Sequence, residues 1–239
     1  MSRRRIDVIY ALETAGPLHI GTGHGARGLS RAILRDGRGL PFIPGSTIKG
    51  RARYAATRVC RWMGLDVVTD AVADVSRAGV RTPNGPDGKP DLPARLFGSA
   101  WRRCTLRFSN ALLRDADVSE SEVRTSVARS RLLGTASHQR LFQSEFAPPG
   151  LVFAGSVAGY LDCDLEVLGD SPVEPLVLWL ALRLMVTDGI GGNKSAGCGT
   201  LTPGSSQSIR MTVDGQPFEP SGDDSVATLQ LLRDLEPST

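Results

Sequence analysis

Residues 5–14 alternate apolar and polar side chains, with Ile6, Val8, Tyr10 and Leu12 on one face. That period predicts a half-buried β-strand, which Gly16-Pro17 ends. The alternation is lost over residues 18–30, where Gly21, Gly23, Gly25 and Gly28 make a long loop that carries His19, His24 and Arg27. A short strand at Ala32-Ile33-Leu34 leads to a turn at Asp36-Gly37. The period then becomes helical. Ile48, Ala52, Ala55, Val59 and Met63 form one apolar stripe, predicting a helix to about Met63 with Ser46 or Thr47 as N-cap.

Residues 64–94 are weakly patterned, and Thr82 to Pro93 reads as a flexible surface loop rich in Pro, Gly and Asp. A compact element, Arg95–Trp101, precedes a strand at Thr105–Ser109. Residues 119–146 interrupt the pattern, and alternation returns over 151–161. An apolar helix from Leu176 to Val186 is followed by a glycine loop and by strands near 199–202 and 208–213. The acidic tail, about 214–239, is expected to end in a small amphipathic helix. Without the insertions at about 64–94 and 119–146, the order is β, α, β, β, α, β. This is an α+β, ferredoxin-like or RRM-like arrangement in one domain over 1–239, an antiparallel sheet backed by two helices.

Hydrophobic residues at 41% and charged residues at 22% describe an ordinary globular chain, long enough for a sizeable core. No run approaches the roughly 18 apolar residues that span a bilayer. The N-terminus lacks a secretory apolar region. Cys60, Cys104, Cys163 and Cys198 are scattered without a CxxC pair, so neither a zinc site nor a disulfide framework is expected, and a reducing cytoplasm suits the chain. The net charge of +3 hides an asymmetry: residues 1–61 hold twelve Lys/Arg and three Asp/Glu, a balance of +9, leaving −6 for the rest. Such a bipolar molecule can turn one positive face to a polyanion, the alternative being solvated surface arginines.

Three segments carry candidate chemistry. Gly189-Ile-Gly-Gly-Asn-Lys-Ser-Ala-Gly-Cys-Gly199 has five glycines and one lysine, a composition suited to lying against phosphate oxygens. A nucleotide-binding P-loop fits it poorly, since Asn193 and not Gly precedes Lys194 and the loop follows a helix instead of a strand. Pro44-Gly-Ser-Thr-Ile-Lys-Gly50 opens a helix with free amides, a hydroxyl and the cations Lys49 and Arg53, an anion site or an ordinary capped surface helix. Between Val123 and Ser144 lie Arg124, Arg129, Arg131, His138 and Arg140 with no acid. Asp162 and Asp164 share a strand face without a third ligand nearby and read as solvated carboxylates.

In order and spacing, Leu18-His-Ile-Gly-Thr-Gly23, Pro44–Gly50, Arg95-Leu-Phe-Gly98 and Gly189–Gly199 resemble the RAMP superfamily of CRISPR-Cas proteins over about residues 5–202. The likeness is strongest to the repeated backbone subunit of type III (Csm/Cmr-like) effector complexes. Arg129-Ser-Arg131 and Gly134-Thr-Ala-Ser137 ahead of Phe142-Gln-Ser-Glu145 resemble that family's thumb, with an apolar tip near Leu132 and Leu133. The resemblance implies copies of the chain stacked along CRISPR RNA beside other effector subunits, each thumb interrupting the duplex with complementary target RNA. The RNA contacts it implies are His19, Ser46, Lys49, Arg51, Arg53, Arg129, Arg131, Gly191, Gly192, Asn193, Lys194 and Ser195, with His138 contacting RNA from the thumb.

The resemblance also bears on cleavage. Active relatives carry an aspartate in the loop before a Val-Ile-Lys/Arg-Asp-like strand, and aligning Ala32-Ile-Leu-Arg-Asp36 with it places Ser30 there. A serine neither binds Mg²⁺ strongly nor supplies a carboxylate for proton transfer. RNA binding therefore needs no cofactor, and Mg²⁺ enters only if cleavage is retained. Asp36 and, by analogy with guide-processing endoribonucleases, His24 are the candidate catalytic residues.

Overall fold

The computed structural model describes residues 2–25, 28–65, 67, 90–99, 102–114, 121–130, 132, 134–163, 167–168 and 171–220. The first half of the chain forms β1 (Ser2–Glu13), β2 (Phe42–Ile43), α1 (Gly45–Trp62), α2 (Leu92–Phe97), β3 (Leu106–Phe108) and β4 (Ala111–Leu113). After these come β5 (Glu122–Arg129), β6 (Ala136–Phe146), β7 (Val152–Cys163), β8 (Val167–Leu168) and β9 (Ser171–Pro172). The chain continues with α3 (Val173–Asp188), a 3₁₀ turn at Lys194–Ala196, α4 (Gly204–Gln207), β10 (Arg210–Val213) and β11 (Gln216–Pro217).

β1 and β7 are the centre of the sheet, paired antiparallel along their whole length from Ser2 opposite Cys163 to Glu13 opposite Val152. β10 adds to the free edge of β1, and β3 and β4 add to β7, giving the order β11-β10-β1-β7-β4-β2 with β3 beside β7. Reduced to its two βαβ halves this is the predicted ferredoxin-like sheet, with α1 and α3 packed side by side on one face. Ile6, Val8, Tyr10 and Leu12 point into that layer, whereas Ile9 on the opposite face is exposed. Ala52, Ala55 and Ala56 on α1 are buried and let the helices approach closely. α3 is apolar on nearly every side because the sheet, α1, α2 and α4 enclose it.

The strand predicted at Thr105–Ser109 forms as β3; a further strand, β4, follows after a break at 109–110, and the break serves α1. Neither Ser46 nor Thr47 caps that helix: the N-cap position is Pro44, with no side-chain cap bond. Asn110, in the break, instead accepts a hydrogen bond from the Gly45 amide at 2.9 Å. A Cβ on Gly45 would strike the Phe108 carbonyl, so glycine is required where the helix start meets the strand. The segments expected as strands at 32–34 and 199–202 contribute only isolated bridges, Gly21 with Ile33 and Thr14 with Leu201. The loop expected over 82–93 and the acidic tail lie largely outside the described residues. No helix among the described residues is long and apolar enough to cross a membrane.

The Arg95-Leu-Phe-Gly98 motif is a packing device. Leu96 and Phe97 are buried, and Arg95 on α2 reaches Glu174, at the first turn of α3, at 3.2 Å with both side chains nearly withdrawn from water. Removing one member strands the other charge in the core. Arg95→Ala is expected to cost about 3 kcal/mol in a urea unfolding titration, with Arg95→Lys recovering part of it.

Candidate nucleic-acid interface

Where α3 ends, its last residue Asp188 turns toward α1. It accepts two hydrogen bonds of 2.7 Å from Arg58 and lies 3.6 Å from Arg51. The Arg58 guanidinium also sits 4.8 Å over Trp62, and Tyr54 is flanked by Arg51 and Arg58 at 5.5 and 5.8 Å. Lys194 joins this cluster from the glycine loop. Burial, and then Arg51, push its ammonium below the usual lysine range, with Asp188 opposing and Arg58 assisting. Lys49 and Arg53 lie one turn apart on the same helix, half-buried, and no described residue pairs with either. Ser46 is exposed in the first turn. The rim thus gathers Arg51, Arg58 and Lys194 around one carboxylate, while Lys49 and Arg53 lie about half a turn away around α1, on the other flank of its buried stripe.

The glycine loop is built differently from the expected bare cradle. Its backbone is folded on itself and on the segment after β1: Ile190 donates to Gly199, Gly199 to Pro17, and Gly192 to the His19 carbonyl at 2.9 Å. A Cβ on Gly191 would come within 2.6 Å of the His19 oxygen, and one on Gly199 would land on the Ile190 carbonyl. Close chain packing, not phosphate approach, therefore demands these two glycines. The amides left without an acceptor among the described residues are those of Gly191, Asn193, Lys194 and Ser195. Asn193, at φ 57°, turns the chain outward so that Asn193, Lys194 and Ser195 are exposed.

The basic insertion is a two-stranded hairpin of β5 and β6, with a tip where Leu132 is 92% exposed. Arg129 ends β5, His138 lies in β6, and Arg131 and Leu133 fall outside the described residues. Its base is tied to the palm at several points. The Leu18 and Ala147 backbones exchange hydrogen bonds, and Arg31 bonds to Gln143 and Glu145. The Glu145 carboxylate accepts from Arg35 at 2.6 Å, Ser121 at 2.7 Å and the Ile33 amide at 3.1 Å.

His19 stands between loop and hairpin and is only 9% exposed. Its Nδ1–H donates to the Glu145 carbonyl at 2.7 Å, a direction set by the acceptor, and its ring packs 5.4 Å from Phe146. The sequence assigned His19 to RNA; the structure places it beneath the surface, where it holds the interface together. A cavity of about 410 Å³ opens beside it, lined also by His24, Ser30 and Arg31.

The family model described as the RAMP superfamily matches residues 11–202, most of the chain. This chain belongs to the RAMP superfamily. No curated protein matches it. Membership points to a CRISPR-associated role in RNA binding within multisubunit complexes. The matched span includes the positive rim, the glycine loop and the hairpin, and ends just before β10.

The RAMP fold raises the matter of Mg²⁺, and the residues here do not suit it. Asp36 uses both carboxylate oxygens inside its own turn, accepting from the Arg38 and Leu40 amides and the Arg38 side chain. Among the described residues no group of three His, Cys, Asp or Glu converges on one point. Ser30 accepts a long hydrogen bond from the Gln143 amide, so the position is engaged with the hairpin. Asp162 is ion-paired to Arg102 at 3.0 Å, not simply solvated, and Asp164 lies outside the described residues.

Sequence reading missed Arg58, Asp188, Arg35 and Glu145. The helical spacing of Arg51, Tyr54 and Arg58 was a usable signal; Asp188 and Glu145 find their partners only through the fold. Burial alone would raise the Glu145 carboxyl, but hydrogen bonds from Arg35, Ser121 and Ile33 outweigh it and hold the group below its usual 4.5. A depressed folded value means this anchor is complete above pH 4.5 and is lost as pH falls through the folded value. Glu145→Gln is expected to lower stability by about 2 kcal/mol at neutral pH. That difference should shrink in denaturant titrations below pH 4.5.

Proposed function

We propose that this RAMP chain is the RNA-binding backbone subunit of a type III-like CRISPR effector complex. Copies stack along the guide, and the β5–β6 hairpin displaces bases of the guide–target duplex. The observation that carries this reading is the cluster of Arg51, Arg58 and Lys194 beside the outward amides of the glycine loop, which His19 ties to the hairpin, with Lys49 and Arg53 adding charge on the other flank of α1. Cations and amides grip phosphates without reading bases, as suits a protein that must accept any guide. The exposed Leu132 at the hairpin tip suits a wedge.

Holding RNA, not cutting it, is the role assigned to the chain, because Ser30 stands at the position of the family's aspartate and Asp36 is spent on its own turn. The second reading is a guide-processing endoribonuclease, which the cavity shared by His24, His19 and Ser30 favours. Guide cleavage that is lost in His24→Ala would establish it.

Purified with its genomic neighbours, the protein is expected to carry a discrete short RNA and several copies of itself; an RNA-free monomer would end the proposal. Reversing Lys49 and Arg53 to glutamate should weaken guide binding roughly tenfold or more. The slope of log affinity against log salt should fall by about 1.4, two phosphate contacts at about 0.7 each on a single strand. Unchanged affinity and slope would remove this flank of α1 from the RNA path.

A further inference from the structure

We infer that Tyr54 is a stacking platform for one unpaired nucleobase. This rests on the RNA-binding reading and adds a contact to the base, which the phosphate-gripping rim does not supply. Arg51, Tyr54, Arg58 and Trp62 follow one another at helical spacing along the outer stripe of α1. Tyr54 is 55% exposed and is the only large hydrophobic side chain of α1 that is so open.

The surroundings of the ring specify its occupant. Guanidiniums flank it at 5.5 and 5.8 Å, and both arginines are themselves held by Asp188. Much of the ordering that binding normally costs is therefore already spent in the folded protein. Two cations over the ring, held by one carboxylate, leave net positive charge beside its exposed part, with Lys194 close by on the loop. A nucleobase with its phosphate matches that arrangement: the base stacks on the exposed part of the ring and the neighbouring cations face the phosphate. A polyanion suits it better than a protein partner, because the exposed ring is surrounded by cations with no contiguous exposed apolar residues on α1.

The test compares a fluorescent oligouridine RNA with an abasic ribose-phosphate strand of equal length, on the full chain at fixed salt. Wild type should prefer the base-bearing strand. Tyr54→Ala should lose about tenfold in affinity for it, within the range for one stacked base, with binding of the abasic strand unchanged. Tyr54→Phe and Tyr54→Trp should keep the preference. A 2-aminopurine in the RNA should be quenched by wild type and not by Tyr54→Ala, a readout that a merely structural role would not move. Unaltered melting of the variant would confirm that its fold is intact.

If wild type binds RNA and Tyr54→Ala keeps both preference and quenching, the stacking platform is overturned while the RNA-binding reading stands. Equal loss on both strands also overturns it, since Tyr54 would then act only by placing the arginines. If wild type binds neither strand, the RNA-binding reading falls and this inference falls with it.

Discussion

The interface depends on one buried joint at His19. Its carbonyl holds the glycine loop through Gly192, its ring holds the hairpin through the Glu145 carbonyl, and the ring face packs on Phe146. Each polar contact is made out of water, where leaving a partner unsatisfied is costly, so loop and hairpin cannot separate cheaply. The Glu145 side chain extends the joint to Ile33 and Arg35. Hairpin and loop are thereby set at a defined distance from the cations of α1, which a surface that must follow a polyanion requires.

The rim solves an electrostatic difficulty. Arg51, Arg58 and Lys194 close together repel one another, and Asp188 relieves this. One carboxylate against three cations makes the relief partial, and the surface keeps a positive field. The carboxylate also orients two arginines that would otherwise sample many rotamers. Asp188 therefore gives up some attraction for order, a balance that suits repeated weak grips along a strand.

The carboxylates near this surface are occupied. Asp36 closes its own turn, Glu145 anchors the hairpin, and Asp188 and Asp162 pair with arginines. The Leu40 amide and Arg38 hold the Asp36 carboxyl below its usual value, and at Glu145 hydrogen bonds from Arg35, Ser121 and Ile33 outweigh burial.

The elements of the palm were legible along the chain because their signals are local. Alternation marked β1 and β7, helical spacing marked α1, and unbroken apolarity marked α3, whose burial on all sides matches that composition. The RAMP membership was legible for the same reason, as short motifs in a fixed order. Other features were decided only by the tertiary structure, because they join residues far apart in sequence. Asn110 caps α1 from the break between β3 and β4, Arg95 reaches Glu174, and Asp188 orders Arg51 and Arg58. The glycines of the 189–199 loop announced close approach without saying to what. The fold answers that for Gly191 and Gly199 it is the protein's own backbone, and it leaves Asn193, Lys194 and Ser195 to face outward.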